Sequence, residues 1–310
     1  MGWQNSVTIP NNLIRKETLN NCNFTKNKTM KNSVKIIALI VSVIFLSCNE
    51  KKESKTHKKP IVERIQPKEI SFTFQKSKEW LNGNTDTKKA MNIVLAINRV
   101  DESNLTKLDS IIVPTDISGD IAYYMPFPLD VSSLEEVKKI IVFSYATQAF
   151  ATYEYGVLTH VGPTSMGKEK DKTPTGLFFT NWKAEETTST FNDEWKLKWN
   201  FNIENKLGVG FHQYELPGYP ASHSCLRLLE KDAKMLYTFA DEWVLESDQK
   251  IELKGTPVIV FGSYDFEGQK PWYDLIENPK ALSISKEQLE KVISPYLSTI
   301  LKEQAKRENK

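Results

Sequence analysis

Residues able to do chemistry crowd one short stretch, HQYELPGYPASHSCLRL, from position 212 to 228. His212 and His223 precede Cys225, and Arg227 follows it. The chain has only four histidines and three cysteines in 310 residues. A thiol is mostly protonated at neutral pH, so a nucleophilic cysteine needs a base or a positive environment beside it. Two bases are at hand. His223 shares a face with Cys225 if the stretch is extended, because side chains two apart point the same way. His212 ends the strand-like GVGFH, and the loop QYELPGYPAS, with two prolines and a glycine, suits a return that brings its ring to the thiol. A helix after the cysteine would aim its positive end near the sulfur, lowering the thiol pKa and offering donors to an oxyanion. Residue types alone leave two other readings open. Histidine and thiolate are zinc ligands, although no second Cys-x-x-Cys and no obvious fourth ligand accompany them. Three unrelated loop or core residues would look the same.

The elements that must position these residues read as mainly β with flanking helices, an α+β class. From about 134 to 263 short β segments recur: KKIIVFSYATQAFATYEYGVLTHVGPTSMG, broken at Tyr155-Gly156, then LFFTNW after the turn TPTG, then LGVGFHQY and TPVIVFG. This spacing predicts a curved sheet or barrel-like domain over 131–263. LEKDAKMLYTFADEWV, after the cysteine, has helical spacing from Leu229 to Val244. In the extension 264–310, Ser285 and Gln288 hold capping-box positions, and Pro295 should kink or split the helix that follows. Residues 71–130 form a small mixed segment with a helix-period run around Met91 to Ile97 and the strand-like SIIVP. This segment loosely resembles the end of a LysM module, the small glycan-binding fold, without that motif's first half; a structural lead-in to the next domain is the reading taken.

The N-terminus carries an address. Lys31 and Lys35 precede the apolar run from Ile36 to Leu46, and Ser47 precedes Cys48. That is a secretory layout, and the run is well short of the roughly 20 residues a membrane-spanning helix needs. FLSC resembles a bacterial lipobox, which implies a lipid anchor at Cys48 and start at Met30, with 1–29 an upstream extension. Asn49 points to outer-membrane sorting. Residues 49–70, rich in Lys and Glu, read as a solvated tether in which His57 is inert. With Cys48 lipidated and Cys22 removed, Cys225 is the one free thiol, worth flagging as reactive. Forty per cent hydrophobic residues, 26% charged and a net charge of +2 describe an ordinary globule, and with mixed charges and no phosphate loop they argue against nucleic-acid binding.

The cysteine stretch resembles the signature of the YkuD-type L,D-transpeptidases: a histidine, a loop, then Ser/Thr-His-Gly-Cys, an aliphatic residue and Arg or Asn. Here it reads His212, then Ser222-His223-Ser224-Cys225-Leu226-Arg227. Upstream, Gly167-Lys168 and Thr173-Pro174-Thr175-Gly176 are similar to the family's turns, in the same order. The resemblance implies Cys225 as nucleophile and His212 as proton acceptor and donor, its ring oriented by the Gln213 carbonyl. It implies an oxyanion hole from backbone N–H groups around Ser224 and Cys225, with Ser222, His223 and Arg227 shaping the site and pairing with peptide carboxylates. Tyr219 and His160 are weaker groove candidates, and Trp182, Trp195 and Trp199 either cover the donor site or pack. It implies no cofactor and no metal, and peptidoglycan stem peptides as partner; the Met30 to Cys48 segment independently points to location on the periplasmic side of the cell envelope. Ser224 departs from the family glycine, which matters if that position needs a positive φ or close substrate approach. The reaction expected is acyl transfer from a tetrapeptide stem through a Cys225 thioester to an amine. The alternatives are water as acceptor, giving an L,D-carboxypeptidase or endopeptidase, or a non-catalytic wall-binding lipoprotein.

Overall fold

The computed structural model describes residues 58–83, 88–189, 195–248 and 250–310. The expected export signal, Cys48, Asn49, His57 and the first part of the tether lie outside the described residues. The tether's last part is laid on the protein rather than solvated on all sides. Arg64 donates to the Leu158 carbonyl, and the Ile65 N–H donates to Asp120 at 2.7 Å. Pro67 is buried, packed closely against Gly119.

Strand β1 (Phe72–Lys76) pairs antiparallel with β2 (Ser110–Pro114), and helices α1 (Ser77–Gly83), α2 (Lys88–Asn98) and α3 (Glu102–Leu105) lie between them in the chain. The apolar run seen in the sequence is α2, whose Ile93 to Ile97 are all buried. The unit does not close its own core. Leu216 and Leu229, from either side of the cysteine motif, complete the cluster formed by Trp80, Val94, Leu105 and Ile111.

Strands β3 (Ile140–Ser144), β4 (Ala149–Glu154), β5 (Val157–Pro163) and β6 (Gly176–Phe179) build one five-stranded sheet together with β13 (Pro257–Phe261). Its order is β5-β4-β3-β13-β6, with β3 and β13 parallel and the other pairs antiparallel. Tyr155 and Gly156, at φ +47° and +80°, make the tight turn between β4 and β5 where the sequence breaks. The sheet is covered on both faces, so β3 is apolar from Ile140 to Phe143 and buried at every position, Ser144 included. One face, with Ile140, Val142 and Tyr153, receives the C-terminal helices α5 (Lys286–Ile293) and α6 (Leu297–Glu308) through Leu289, Ile293 and Ile300. Ser285 and Gln288 form the expected capping box, and Ser294–Tyr296, containing Pro295, separates the two helices.

The other face, with Ile141, Phe143 and Phe150, packs against a second sheet and α4 (Glu230–Phe239). The second sheet holds β7 (Lys183–Thr188), β8 (Lys196–Glu204), β9 (Val209–Gln213) and β10 (Leu226–Leu228), in the order β10-β9-β8-β7. Among the described residues these sheets stay open; there is no closed barrel, so the curved-sheet form of the expectation stands. Helix α4 is shorter than its periodicity suggests. It ends at Ala240, which turns extended at ψ 144°, and Val244 enters the hairpin of β11 (Val244–Ser247) and β12 (Lys250–Leu253).

Candidate active site

β9 and β10 run parallel, which an ordinary hairpin cannot achieve, so the chain between them must cross back as a loop. That loop is residues 214–225; His212 lies on β9 just before it and Cys225 closes it. Arg227 pairs directly with His212, and Leu226 with Phe211. Extending the register places Cys225 level with Gly210. Because the pleat alternates, Phe211, Leu226 and Leu228 enter the core. His212, Cys225 and Arg227 instead line the opposite face, around a cavity of about 240 Å³. Gly210 lies on that face too, and a Cβ there would sit 2.6 Å from the Phe201 carbonyl, so the strand approach requires glycine.

His212 is 3% exposed. Its Nδ1 lies 3.0 Å from the Gln213 carbonyl, which can only accept, so Nδ1 carries the proton and Nε2 keeps its lone pair. Burial lowers the imidazole pKa to about 4, with the hydrogen bond to Gln213 opposing the shift and the Arg227 charge adding to it. The ring is therefore neutral at physiological pH. Cys225 is half-buried, and burial pushes its thiol above the ordinary value despite the Gly210 N–H and the Arg227 charge. The expectation of a thiol acidified by a following helix is corrected. β10 intervenes, α4 begins only at Glu230, and desolvation outweighs the nearby positive groups. Cys225 thus rests as a thiol, its Sγ donating to the Gly208 carbonyl at 3.8 Å, and His212 as a neutral imidazole.

The segment from Thr164 to Thr173 braces the cysteine turn from the other side. Ser165 and Arg227 exchange backbone hydrogen bonds at 3.2 and 3.0 Å, and Ser222 bonds to Met166 and Lys168 at 3.0 Å each. Thr173 Oγ1 donates to the Ser224 carbonyl at 2.9 Å and accepts the Gly167 N–H at 2.8 Å. Ser222 Oγ donates to the Cys225 carbonyl at 2.5 Å. Ser224 has φ +75°, the left-handed region that favours glycine, and its Oγ donates to the Asp171 carbonyl at 3.2 Å. The family glycine therefore has a backbone reason, and serine occupies the position under strain with one compensating bond. That positive φ also means His223 is not the extended-strand neighbour of Cys225 that the sequence suggests. It reaches the cavity from the turn, with Nδ1 2.6 Å from Asp171 and Nε2 3.0 Å from Lys168 Nζ. An ammonium can only donate, so His223 Nε2 is the acceptor of the Lys168 bond, while Nδ1 lies close to Asp171 without hydrogen-bond geometry.

Arg227 is half-buried, its guanidinium 4.4 Å from the Tyr214 ring centroid, with burial the main influence lowering its pKa. Trp182 and Trp195 line the cavity, and Trp195 lies 5.5 Å from His223 between ring centroids. Trp199 instead packs edge-on against Tyr237 of α4. His160 is engaged elsewhere, 2.9 Å from the buried Asp232, and Tyr219 is exposed and does not line the cavity. Among the described residues no cluster of His, Cys, Asp and Glu is arranged to hold a metal. Asp171, Lys168 and Tyr214 were missed in the sequence. The first two lie in the turn segment already singled out, but their partnership with His223 spans more than 50 positions and has no local signal.

Residues 138–260 match the family model of the L,D-transpeptidase catalytic domain, YkuD. No curated protein matches the chain. Solved structures similar to it include an L,D-transpeptidase from Stackebrandtia nassauensis, at 23% identity and a TM-score of 0.34 over 41% of this chain and 57% of that one. An L,D-transpeptidase from Mycobacterium tuberculosis H37Rv matches at 22% identity and 0.32, over 40% and 58%. One from Mycobacterium smegmatis matches at 21% identity and 0.32, over 40% and 59%. The chain thus spans under two thirds of the length of the solved chains it matches.

Proposed function

We propose that this protein is a cysteine acyltransferase of the L,D-transpeptidase kind, remodelling peptidoglycan from the periplasmic side of the cell envelope. The observation that carries the reading is the pairing of Arg227 with His212 on the strand face that Cys225 shares, with His212 held by Gln213 so that Nε2 is the free base. The Cys225 thiol attacks the carbonyl between an L-centre and a D-amino acid of a tetrapeptide stem. Its proton passes to His212 Nε2, the S–C bond forms, and the C–N bond breaks. The imidazolium returns the proton to the departing amine, releasing D-alanine and leaving a thioester. An amine of a second stem then attacks the thioester, His212 takes its proton, and the thiol is regenerated. The N–H groups of Ser224 and Cys225, engaged by no backbone carbonyl among the described residues, suit the oxyanion. Arg227 supplies the cation for a substrate carboxylate.

Export rests on the Met30 to Cys48 segment, whose lipid anchor would hold the domain at the membrane, by preference the outer one. Incubating the chain with tetrapeptide muropeptides and weighing the products tests the acceptor. A cross-linked dimer, absent with C225A, is the expected result; tripeptide monomer alone would make water the acceptor and overturn the transfer.

A further inference from the structure

β8 carries an irregularity directly across from the proposed base. Between the pairs Lys198–Gln213 and Phe201–Phe211, two residues of β8, Trp199 and Asn200, face the single residue His212. This is a β-bulge, with Trp199 in the left-handed region at φ +54°. Its extra residue reverses the alternation along the strand. Leu197 before it and Asn200 and Asn202 after it all line the cavity, while Trp199, Phe201 and Ile203 pack into the core. Across the sheet the bulge completes a cavity-facing row of Asn200, His212 and Arg227.

We propose that the Asn200 carboxamide is a substrate-reading group, holding one peptide unit of the acyl donor beside the reacting carbonyl. This rests on the stem-peptide reading above. Asn200 is 5% exposed, lines the cavity, and has no hydrogen-bond partner for its carboxamide among the described residues. Its neighbour in the same wall is already committed. Asn202 Oδ1 accepts from Asn181 at 2.7 Å, and its Nδ2 donates to the Glu204 carbonyl at 3.2 Å. The polar atoms of the Asn200 carboxamide are not among the fully buried ones left without a partner, so the group opens onto the cavity and is placed to bond what fills it. The chemistry it matches is a peptide unit. Oδ1 accepts one N–H and Nδ2 donates to one C=O, with no charge to be balanced. Arg227, at the other end of the row, is the group suited to a carboxylate. A donor lying along the row therefore has amide recognition on one side of the imidazole and carboxylate recognition on the other.

The test is steady-state turnover of a defined tetrapeptide stem by the native chain, N200A and N200D, alongside alkylation of Cys225 by iodoacetamide across pH. Loss of one buried substrate hydrogen bond lowers kcat/KM about tenfold or more in both variants. The pH midpoint of alkylation, which reads the thiol and its base rather than peptide recognition, stays where it is in the native chain. Native turnover with N200A within about twofold in kcat/KM overturns the inference alone. A displaced alkylation midpoint also overturns it, making Asn200 a support of the thiol–imidazole pair. No turnover by the native chain overturns the stem-peptide reading and this inference with it.

Discussion

Asp101 sits outside the second sheet yet holds the loop that joins the two reacting residues. Its Oδ1 caps α3 by accepting the Asn104 N–H at 2.8 Å, and its Oδ2 accepts the Leu216 N–H at 2.8 Å. The Asp101 N–H returns a bond to the Leu216 carbonyl at 3.1 Å, and Val100 bridges to Pro217. D101A removes all three carboxylate bonds at once, the third coming from the Asn104 side-chain amide to Oδ2 at 2.9 Å. Losing the cap costs about 1 kcal/mol, and leaving the buried Leu216 amide without its acceptor costs about 1–3 kcal/mol. The expected destabilisation is therefore about 2–4 kcal/mol, a large share of a domain's roughly 5–15 kcal/mol. D101N, which keeps one acceptor oxygen, should lose about half as much. Burial alone would raise this carboxyl, but the backbone hydrogen bonds from Asn104 and Leu216 outweigh it and hold the pKa below the ordinary value. A depressed acid stabilises fully above its unfolded pKa and less as pH falls through the folded one, so the gap between native and D101A narrows below about pH 4. Urea unfolding followed by tryptophan fluorescence measures both the size and the pH trend. D101A within about 0.5 kcal/mol of the native chain at pH 7, or a gap constant down to pH 3, would refute the reasoning.

Four further outcomes are expected. Because burial raises the Cys225 thiol, its alkylation rate should climb with a midpoint above the ordinary cysteine value of about 8.5, and a midpoint near neutrality would mean a preformed thiolate. At Ser224, glycine trades relief of strain against loss of the bond to Asp171, so S224G should change stability by less than about 1 kcal/mol. S224V, β-branched at φ +75°, should cost about 2 kcal/mol or more by thermal unfolding, and an unchanged Tm would contradict the conformation. D171A frees the His223 ring, so kcat should drop about tenfold with KM nearly constant; a change in KM alone would place Asp171 in binding instead.

Much of this architecture is legible in the sequence because it is local. The β-period runs, the Tyr155-Gly156 turn, the capping box at Ser285 and the split at Pro295 each follow from residues near one another in the chain. The cysteine stretch stands out in the sequence through rare residue types at close spacing. What stayed hidden is set by tertiary context. The thiol pKa follows burial that no local pattern states, and the helix that was to acidify it stands behind β10. The bulge at Trp199 and Asn200 depends on register with β9, and the Lys168–Asp171–His223 group joins two turns distant in sequence. The lead-in unit's apolar face was visible, but that Leu216 and Leu229 fill it was not.

The central claim is that Cys225, relieved of its proton by His212, carries the acyl group. Intact-mass analysis of the chain, quenched during turnover of a tetrapeptide stem, tests it most directly. The account predicts a fraction of the protein heavier by one tripeptide acyl group, mapped to Cys225, lost in C225A and strongly reduced in H212A. Product accumulating while Cys225 stays unmodified, or an adduct forming equally well in H212A, would contradict it.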